Sequence, residues 1–328
     1  MAGRSIQWGL VGPGSIARKF ARDLRVAEAG SLRSVVGRDL SRAVAFATEY
    51  GAEFAFDDLR AIAADPEVDI VYLATPHSAH FATAKTLLEH GKPLLIEKPM
   101  TVNAAQAREL VKIARSRRIF LMEALWTRFL PAYQQAGRWL TEGRIGEVRG
   151  VTSSFCVRGN PDPAARWLNP ALAGGGLLDL GVYNLAMTQW VLGPKPDRIG
   201  AVANFSATGV DDMISASLGY TPTTLAQFSC GFVAEAENSL TVAGESGRIH
   251  VPAPFFAAQE VRLLIGDEVE IHRAPFRGEG FEYEIAEAVR CLESGEIESP
   301  QMPLADTLAT LEVMDEIRAR IGLCYPFE

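Results

Sequence analysis

Three groups of residues in this chain have types and spacings that suit chemistry, and the first is a glycine-rich turn. The motif Gly12-x-Gly14-x-x-Ala17 directly follows the apolar segment 6–11. Glycines let a pyrophosphate approach backbone N–H groups, and the small Ala17 lets the next helix lie close to the strand, with its positive N-terminus facing the phosphates. The turn therefore predicts dinucleotide binding, although strand-to-helix turns without a ligand also favour glycine. The cofactor-binding residues predicted here are Gly12, Gly14, Ser15 and Ile16.

The second group follows the next predicted strand, Leu32–Val36, and indicates which dinucleotide is bound. An NAD site places Asp or Glu here to bind the ribose 2′-hydroxyl, whereas this chain has Arg38, Ser41 and Arg42. Guanidinium groups bind phosphate through paired, charge-assisted hydrogen bonds, so these residues predict NADP. Two alternatives stay open: Asp39 leaves room for NAD, and Asp39 or Ser41 could cap a helix instead.

The third group contains residues that could transfer a proton. Lys98 lies in the sequence Glu-Lys-Pro at 97–99, after a predicted buried strand, and the carboxyl ends of parallel strands face the ligand crevice. Asp179 and Tyr183 follow the three glycines 174–176, and a helix beginning there would place them on one face. The alternatives are a lysine that reaches solvent from a strand end and a pair of buried structural polar residues.

The elements that must position these residues change in character along the chain. In the first third, strand and helix patterns alternate, which predicts a parallel sheet. The strands include Leu32–Val36, Val68–Ala74, Pro93–Ile96 and Ile119–Met122, and the helices are Ile16–Leu24, Ser78–His90 and Ala104–Arg115. Later segments alternate apolar and polar residues, which is typical of antiparallel strands with one buried face. These are Val148–Val157, Ile214–Tyr220, Thr224–Phe232 and Leu240–Val242, between helices Pro131–Glu142 and Leu304–Ile321.

The sequence thus predicts an α/β fold with two domains. Residues 1–124 would form an N-terminal Rossmann domain with a parallel sheet. Residues 125–328 would form a C-terminal α/β domain with a large, mostly antiparallel open sheet.

The composition excludes several other functions. The 328 residues carry a net charge of −8, and no basic run is interleaved with aromatic residues, which argues against a nucleic-acid partner. No apolar run reaches the roughly 18 residues of a membrane span and no secretory signal is recognisable, so we expect a cytoplasmic protein without a membrane partner. Four scattered cysteines and two histidines at 77 and 80, without further ligands nearby, predict no metal site.

The same motifs resemble those of the glucose-fructose oxidoreductase/inositol dehydrogenase/MocA (Gfo/Idh/MocA) family, in segments 12–17, 97–99 and 174–183. The branch of dimeric dihydrodiol dehydrogenases and NADP-dependent D-xylose dehydrogenases is the most similar. That closer resemblance lies in segments 37–42, 122–129, 177–183 and 321–326.

The resemblance implies NADP-linked oxidation of a hydroxyl group of a sugar or cyclic diol, with Lys98, Asp179 and Tyr183 as catalytic residues. Many relatives have His where this chain has Tyr183, so here a phenol would transfer the proton. A neighbouring ammonium group lowers the pKa of a phenol from its usual value of about 10, so Lys98 could make Tyr183 a competent base. Lys98 as the proton carrier is the alternative.

The resemblance also implies further cofactor contacts and a partner. For Trp126 with Arg128 and Trp167 with Arg166, aromatic packing within the protein is the alternative to a cofactor contact. The additional cofactor-binding residues are Thr75, Pro76, His77, His80, Glu97, Lys98, Trp126, Arg128, Arg166 and Trp167. We expect a small sugar or cyclic diol as substrate and a homodimer formed through the C-terminal sheet. Two other functions stay open: a non-catalytic NADPH-binding sensor or scaffold, and a keto-sugar reductase working in the reverse direction.

Overall fold

The structure is a computed structural model that describes residues 5–160 and 162–328. It divides into two compact units: Met1–Trp126 with Phe276–Ala305, and Thr127–Pro275 with Asp306–Glu328. The first four residues of the predicted N-terminal domain lie outside the described residues. The return of residues 276–305 to the first unit is not predicted, because the local sequence does not indicate which sheet a late segment packs against.

The strands and helices have the following bounds. In chain order the strands are β1 (Gln7–Val11), β2 (Ser31–Val36), β3 (Phe54–Phe56), β4 (Ile70–Leu73), β5 (Leu94–Glu97), β6 (Leu121–Ala124), β7 (Val148–Cys156), β8 (Arg198–Phe205), β9 (Asp211–Thr221), β10 (Thr224–Gly231), β11 (Leu240–Gly244), β12 (Arg248–Val251), β13 (Glu260–Ile265) and β14 (Glu268–Arg273). The helices are α1 (Ser15–Val26), α2 (Leu40–Tyr50), α3 (Leu59–Ala64), α4 (His77–Glu89), α5 (Ala104–Arg117), α6 (Pro131–Thr141), α7 (Val182–Leu192), α8 (Glu282–Glu293) and α9 (Leu304–Ile321).

The first unit contains a six-stranded parallel sheet with the order β3-β2-β1-β4-β5-β6. Strands β4, β5 and β6 are buried along their whole length, as expected for a sheet with helices on both faces. The strand order reverses between β1 and β4, and ligands of such sheets bind at the carboxyl ends of the strands at this point. The predicted Rossmann fold is confirmed.

Helix α1 shows how the sequence builds this unit. It begins directly after Gly14, and its buried side chains recur on one side of the helix, as in an amphipathic helix that covers a sheet. Phe20 stacks on Tyr72 of β4 with ring centroids 3.8 Å apart. Ala17 is fully buried, so the third position of the glycine motif is small where the helix packs most closely.

The second unit contains an eight-stranded sheet with the order β14-β13-β12-β11-β7-β10-β9-β8. All neighbouring strands are antiparallel except β7 and β10, which are parallel, so the predicted mostly antiparallel sheet is confirmed. Helix α7 packs against β7 and β10, and α6 packs against β13. Among the helices of the described chain, none is both long and apolar enough to cross a membrane.

Candidate active site

In the glycine-rich turn of the first unit, a side chain would clash with the backbone at Gly12 but not at Gly14. Gly12 has a φ of +95°, and a Cβ atom there would lie 2.6 Å from the carbonyl oxygen of Ala74, so only glycine fits. A Cβ atom on Gly14 would meet only the Gly12 carbonyl oxygen, at 4.0 Å. Helix α1 follows with no side-chain cap and no acidic residue in its first turn. The first N–H groups of α1 therefore receive no capping side chain, which suits a phosphate group.

The loop after β4 adds a second observation that fits a bound dinucleotide. The hydroxyl oxygen of Thr75 is buried and has no hydrogen-bond partner among the residues that the structure describes. The Thr75 backbone nitrogen would lie only 2.9 Å from a Cβ atom on Gly12, so this loop adjoins the turn. Because a buried hydroxyl without a partner is costly, Thr75 is suited to a ligand oxygen at the switch point of the sheet.

The segment after β2 has both a structural role and free charge. The Asp39 carboxylate accepts hydrogen bonds from the backbone N–H groups of Ser41 (2.9 Å) and Arg42 (3.3 Å) and from the Ser41 hydroxyl (2.6 Å), so it caps α2. The Ser41 hydroxyl lowers the pKa of Asp39. The alternative of a capping role is therefore correct for Asp39. Arg38 and Arg42 are exposed, and the charge of Arg42 adds to the lowering of the Asp39 pKa.

Glu97 ends β5 at the carboxyl edge of the parallel sheet, and Lys98 directly follows it. The Glu97 carboxylate, only 6% exposed, accepts hydrogen bonds from the Tyr72 hydroxyl and from the backbone N–H of Lys98 (3.2 Å). Lys98 is half-buried. Tyr72 is absent from the predicted site, and the only signal for it is a hydroxyl group within an otherwise apolar buried strand.

His80 connects two loops of this edge. It is fully buried, and its ring nitrogens lie 2.8 Å from the Thr75 carbonyl oxygen (Nε2) and 3.0 Å from the Pro99 carbonyl oxygen (Nδ1). Burial lowers its pKa, and a neutral imidazole donates to one of these carbonyls at a time. His77 is buried nearby, with ring centroids 5.8 Å apart, and Pro76 precedes α4. His80 thus ties the loop after β4 to the loop after β5.

Asp179 and Tyr183 lie in the second unit, on the predicted helix. This helix begins with a π-helical turn, Leu177–Gly181, and continues as α7. Arg166 donates a hydrogen bond to Asp179, with Nη2 and Oδ2 2.7 Å apart. Tyr183 is 6% exposed, and its ring packs 5.6 Å from Phe155. The structure therefore brings Arg166 to Asp179 and places Tyr183 in an aromatic environment.

The remaining predicted residues have structural contacts within their own units. Trp126 packs against Phe281, with centroids 5.0 Å apart. Arg128 pairs with Asp306 at 2.9 Å, beside a cavity of about 190 Å³. Trp167 donates from its indole nitrogen to the Asn160 carbonyl oxygen at 3.2 Å. A role of these side chains in cofactor binding stays a prediction. Among the described residues, no cluster of three or more His, Cys, Asp or Glu side chains is suited to a metal ion.

Comparison with known proteins agrees with this geometry. The sequence profile of an oxidoreductase family with an NAD-binding Rossmann fold matches residues 6–124, and that of the GFO/IDH/MocA C-terminal domain matches residues 133–250. Trans-1,2-dihydrobenzene-1,2-diol dehydrogenases from Bos taurus and Homo sapiens are 36% and 34% identical, over 98% of this chain and 98% of each relative.

A solved structure shares the same architecture. A 3-ketoreductase from Actinomadura kijaniata in complex with NADP and TDP-benzene is 27% identical, with a TM-score of 0.88 over 97% of this chain and 98% of that chain. The relatives and the matching profiles cover both units, including the glycine-rich turn, Lys98 and the helix that bears Tyr183. The chain is therefore a nicotinamide-dependent oxidoreductase and belongs to the Gfo/Idh/MocA family.

Proposed function

We propose that this chain is an NADP-dependent dehydrogenase that oxidises a hydroxyl-bearing carbon of a sugar or a cyclic diol. The placement of Lys98 carries this proposal: it directly follows β5 at the carboxyl edge of a Rossmann sheet, and its backbone N–H donates to a Glu97 carboxylate that also accepts from Tyr72. A non-catalytic sensor would have no need of an ionisable group fixed at this position. The names of the relatives, which are 32–36% identical, support a diol as substrate.

The surroundings of Tyr183 support a ring-shaped substrate. Phe155 and Phe256 stack with centroids 4.0 Å apart, and the Tyr183 ring lies 5.6 Å and 5.7 Å from them. Aromatic faces pack well against the apolar face of a pyranose or a cyclohexadiene ring. The phenol and the Asp179 carboxylate are the polar groups that would bind the hydroxyls of such a ring.

The acid–base roles follow from the chemistry of alcohol oxidation. When bound, the nicotinamide ring supplies the hydride acceptor. Tyr183, as a phenolate, takes the hydroxyl proton. Asp179, which Arg166 holds at 2.7 Å, orients the substrate. Lys98 as the proton carrier is the second assignment.

The preference for NADP is assigned to Arg38 and Arg42. Both guanidinium groups are exposed, whereas the one carboxylate in this segment is engaged as the cap of α2. A 2′-phosphate would gain two charge-assisted donors here, and a bare 2′-hydroxyl would gain little. The solved 3-ketoreductase structure contains NADP, which agrees with this assignment.

Reduction of a keto-sugar by NADPH is a second candidate reaction. It is favoured by one observation, the likeness to a 3-ketoreductase at a TM-score of 0.88. The same residues serve both directions, because Tyr183 as a neutral phenol donates the proton that it takes up in oxidation.

Initial rates with a substrate panel test the proposed function. Wild-type protein and Lys98→Ala are assayed with NADP and NAD against D-xylose, other pyranoses, myo-inositol and a trans-dihydrodiol, and with NADPH against keto-sugars. We expect turnover of at least one substrate with NADP and a loss of about 100-fold or more in Lys98→Ala. NADPH binding without turnover in either direction would instead identify a sensor.

We also propose a homodimer that forms through the open face of the second sheet. Six exposed, uncharged residues of β7 to β10 lie on this face, together with one exposed charged residue, Arg198; the six are Thr152, Val202, Ser215, Ser217, Leu225 and Gln227. A sheet face that is neutral apart from Arg198 suits contact with a second copy of itself. Analytical ultracentrifugation is expected to give twice the chain mass, and Ser217→Arg is expected to give the monomer; a monomeric wild type would contradict this interface.

A cytoplasmic location is part of the proposal. All four cysteines are free thiols, and three of them are buried. A reducing compartment keeps such thiols unpaired. Fractionation of the native source with an antibody is expected to recover the protein with cytoplasmic markers, and recovery with secreted proteins would contradict it.

A further inference from the structure

Two of the three glycines before the π-helical turn, Gly174 and Gly175, are packed too tightly for any side chain. Gly175 has a φ of +123°, and a Cβ atom there would lie 2.1 Å from Oδ1 of Asp211. A Cβ atom on Gly174 would lie 2.7 Å from the Trp167 carbonyl oxygen. This turn therefore differs from an open ligand loop, because its backbone is pressed against other parts of the second unit.

Asp211, the first residue of β9, contacts the beginning of the helix from 34 positions further along the chain. It is fully buried, and its Oδ2 accepts the backbone N–H of Leu177 at 2.7 Å. The carboxyl group also lies close to the backbone of Gly176, where a Cβ atom would be 3.4 Å from Oδ2. Since the first N–H groups of a helix have no partner within the helix, Asp211 supplies the cap that the glycines cannot.

Tyr325, close to the end of the chain, makes a second contact with the same turn. Its hydroxyl donates to the Gly174 carbonyl oxygen at 2.6 Å, and its ring lies beneath the Arg318 guanidinium, 4.7 Å from the ring centroid. Tyr325 is 2% exposed. The turn is thus held by an acceptor from β9 and by a donor from the C-terminal segment.

We propose that Asp211 and Tyr325 are positioning residues for the reaction: together they form a clasp that fixes the start of the helix and, through it, Asp179 and Tyr183. Asp179 follows Leu177 by two residues, so a shift of the Leu177 backbone is passed directly to the carboxylate. A displacement of about 1 Å in a reacting group costs on the order of 100-fold in rate. This role rests on the proposed function.

Four variants distinguish a specific effect of the clasp on catalysis from a general loss of stability. Asp211→Asn keeps an oxygen that can accept the Leu177 N–H, Asp211→Leu removes it, and Tyr325→Phe removes only the hydroxyl. Asp212→Asn is the matched control, because Asp212 is the neighbouring carboxylate on β9 and its Oδ1 has no hydrogen-bond partner among the described residues. We expect kcat to fall at least 10-fold in Asp211→Leu and about 3-fold or more in Tyr325→Phe, with KM changed less. Asp211→Asn is expected to recover kcat to within 3-fold, and Asp212→Asn to within 2-fold.

Wild-type kcat in Asp211→Leu and Tyr325→Phe would overturn the clasp. So would an Asp211→Asn variant as slow as Asp211→Leu, since the accepting oxygen would then not matter. If Asp211→Leu does not fold, Tyr325→Phe, which alters one atom, carries the kinetic test alone.

Hydrogen–deuterium exchange tests the clasp without any turnover. Amides of residues 176–184 are expected to exchange at least 10-fold faster in Tyr325→Phe and Asp211→Leu than in the wild type, and at the wild-type rate in Asp212→Asn. Unchanged exchange in both clasp variants would overturn the clasp even if the enzyme is active. If the wild type turns over no substrate while exchange responds as expected, the proposed reaction fails and the clasp stands as a structural device.

Discussion

The two units each contain a helix that begins after a glycine turn, and the two turns use glycine for opposite reasons. At Gly14 a Cβ atom would meet open space, and α1 has no side-chain cap. At Gly175 a Cβ atom would strike Asp211, which caps the helix that bears Tyr183. The first turn leaves its N–H groups for a ligand, whereas the second satisfies them within the protein. The same residue type therefore indicates a binding site in one place and a rigid support in the other.

The largest expected effect comes from adding a side chain at Gly175, in the turn that Asp211 closes (the closed turn). Gly175→Ala introduces a Cβ atom 2.1 Å from the Asp211 carboxylate at a φ of +123°. Strain and overpacking together should lower the free energy of unfolding by about 2–4 kcal/mol. Urea titration measures the loss, and NADPH affinity of the folded fraction should stay at the wild-type value. A wild-type unfolding midpoint would show that this turn is not closed.

In the turn at Gly14 (the open turn), an added side chain should lower cofactor affinity and leave stability unchanged. Gly14→Ala is expected to leave the unfolding midpoint unchanged, because the contact found for the new methyl group is an ordinary one, with the Gly12 carbonyl oxygen at 4.0 Å. It should weaken NADPH binding about 30-fold, because the methyl group occupies the space that the pyrophosphate needs; this corresponds to roughly 2 kcal/mol. Fluorescence titration of NADPH gives the dissociation constant. Unchanged affinity would contradict the assignment of this turn to the cofactor.

The capping carboxylate gives the closed turn a pH dependence that the open turn lacks. Burial raises the pKa of Asp211 from 3.8 to about 7, against the opposing effect of Arg318, while Cys230 and Tyr325 also face it. Because the folded state holds this proton more tightly than the unfolded state, the contribution of Asp211 to stability is complete below about pH 4 and is lost as the pH rises through about 7.

Asp211→Asn removes this titration. Between pH 5.5 and 8.5 the wild type should lose roughly 2 kcal/mol of unfolding free energy relative to Asp211→Asn. Urea titrations of both proteins at the two pH values measure the difference. The contributions of the other carboxyl groups are the same in both proteins and therefore cancel. Parallel behaviour of the two proteins would show that this carboxyl group does not titrate in that range.

The smallest expected effect concerns the preference of the first unit for NADPH over NADH. Arg42→Ala should raise the dissociation constant of NADPH about 10-fold and leave that of NADH within 2-fold, because only the 2′-phosphate uses the guanidinium. Asp39 should continue to cap α2 through its backbone contacts with residues 41 and 42. Equal effects on both cofactors would place Arg42 outside the phosphate site.

The sequence predicts elements with strong periodicity and fails where contacts are distant. Helix α9 begins and ends at the predicted residues, Leu304 and Ile321, because its apolar residues recur and Gly322 follows. Strand β3 has only three residues and offers no periodic signal. Among the site residues, Lys98 and Tyr183 could be named from local motifs. Asp211 could not, because its partner Leu177 is 34 positions away and only the folded sheet brings them together.

The rate of NADP reduction by Tyr183→Phe, at saturating cofactor and the best substrate of the wild type, tests the account most directly. Tyr220→Phe is the matched control, because it makes the same change in the second unit at a buried hydroxyl that has no hydrogen-bond partner within the described residues. We predict that Tyr183→Phe loses about 100-fold or more in kcat while binding NADPH normally, and that Tyr220→Phe keeps wild-type kcat. Near-normal turnover by Tyr183→Phe would contradict the assignment and move the proton transfer to Lys98.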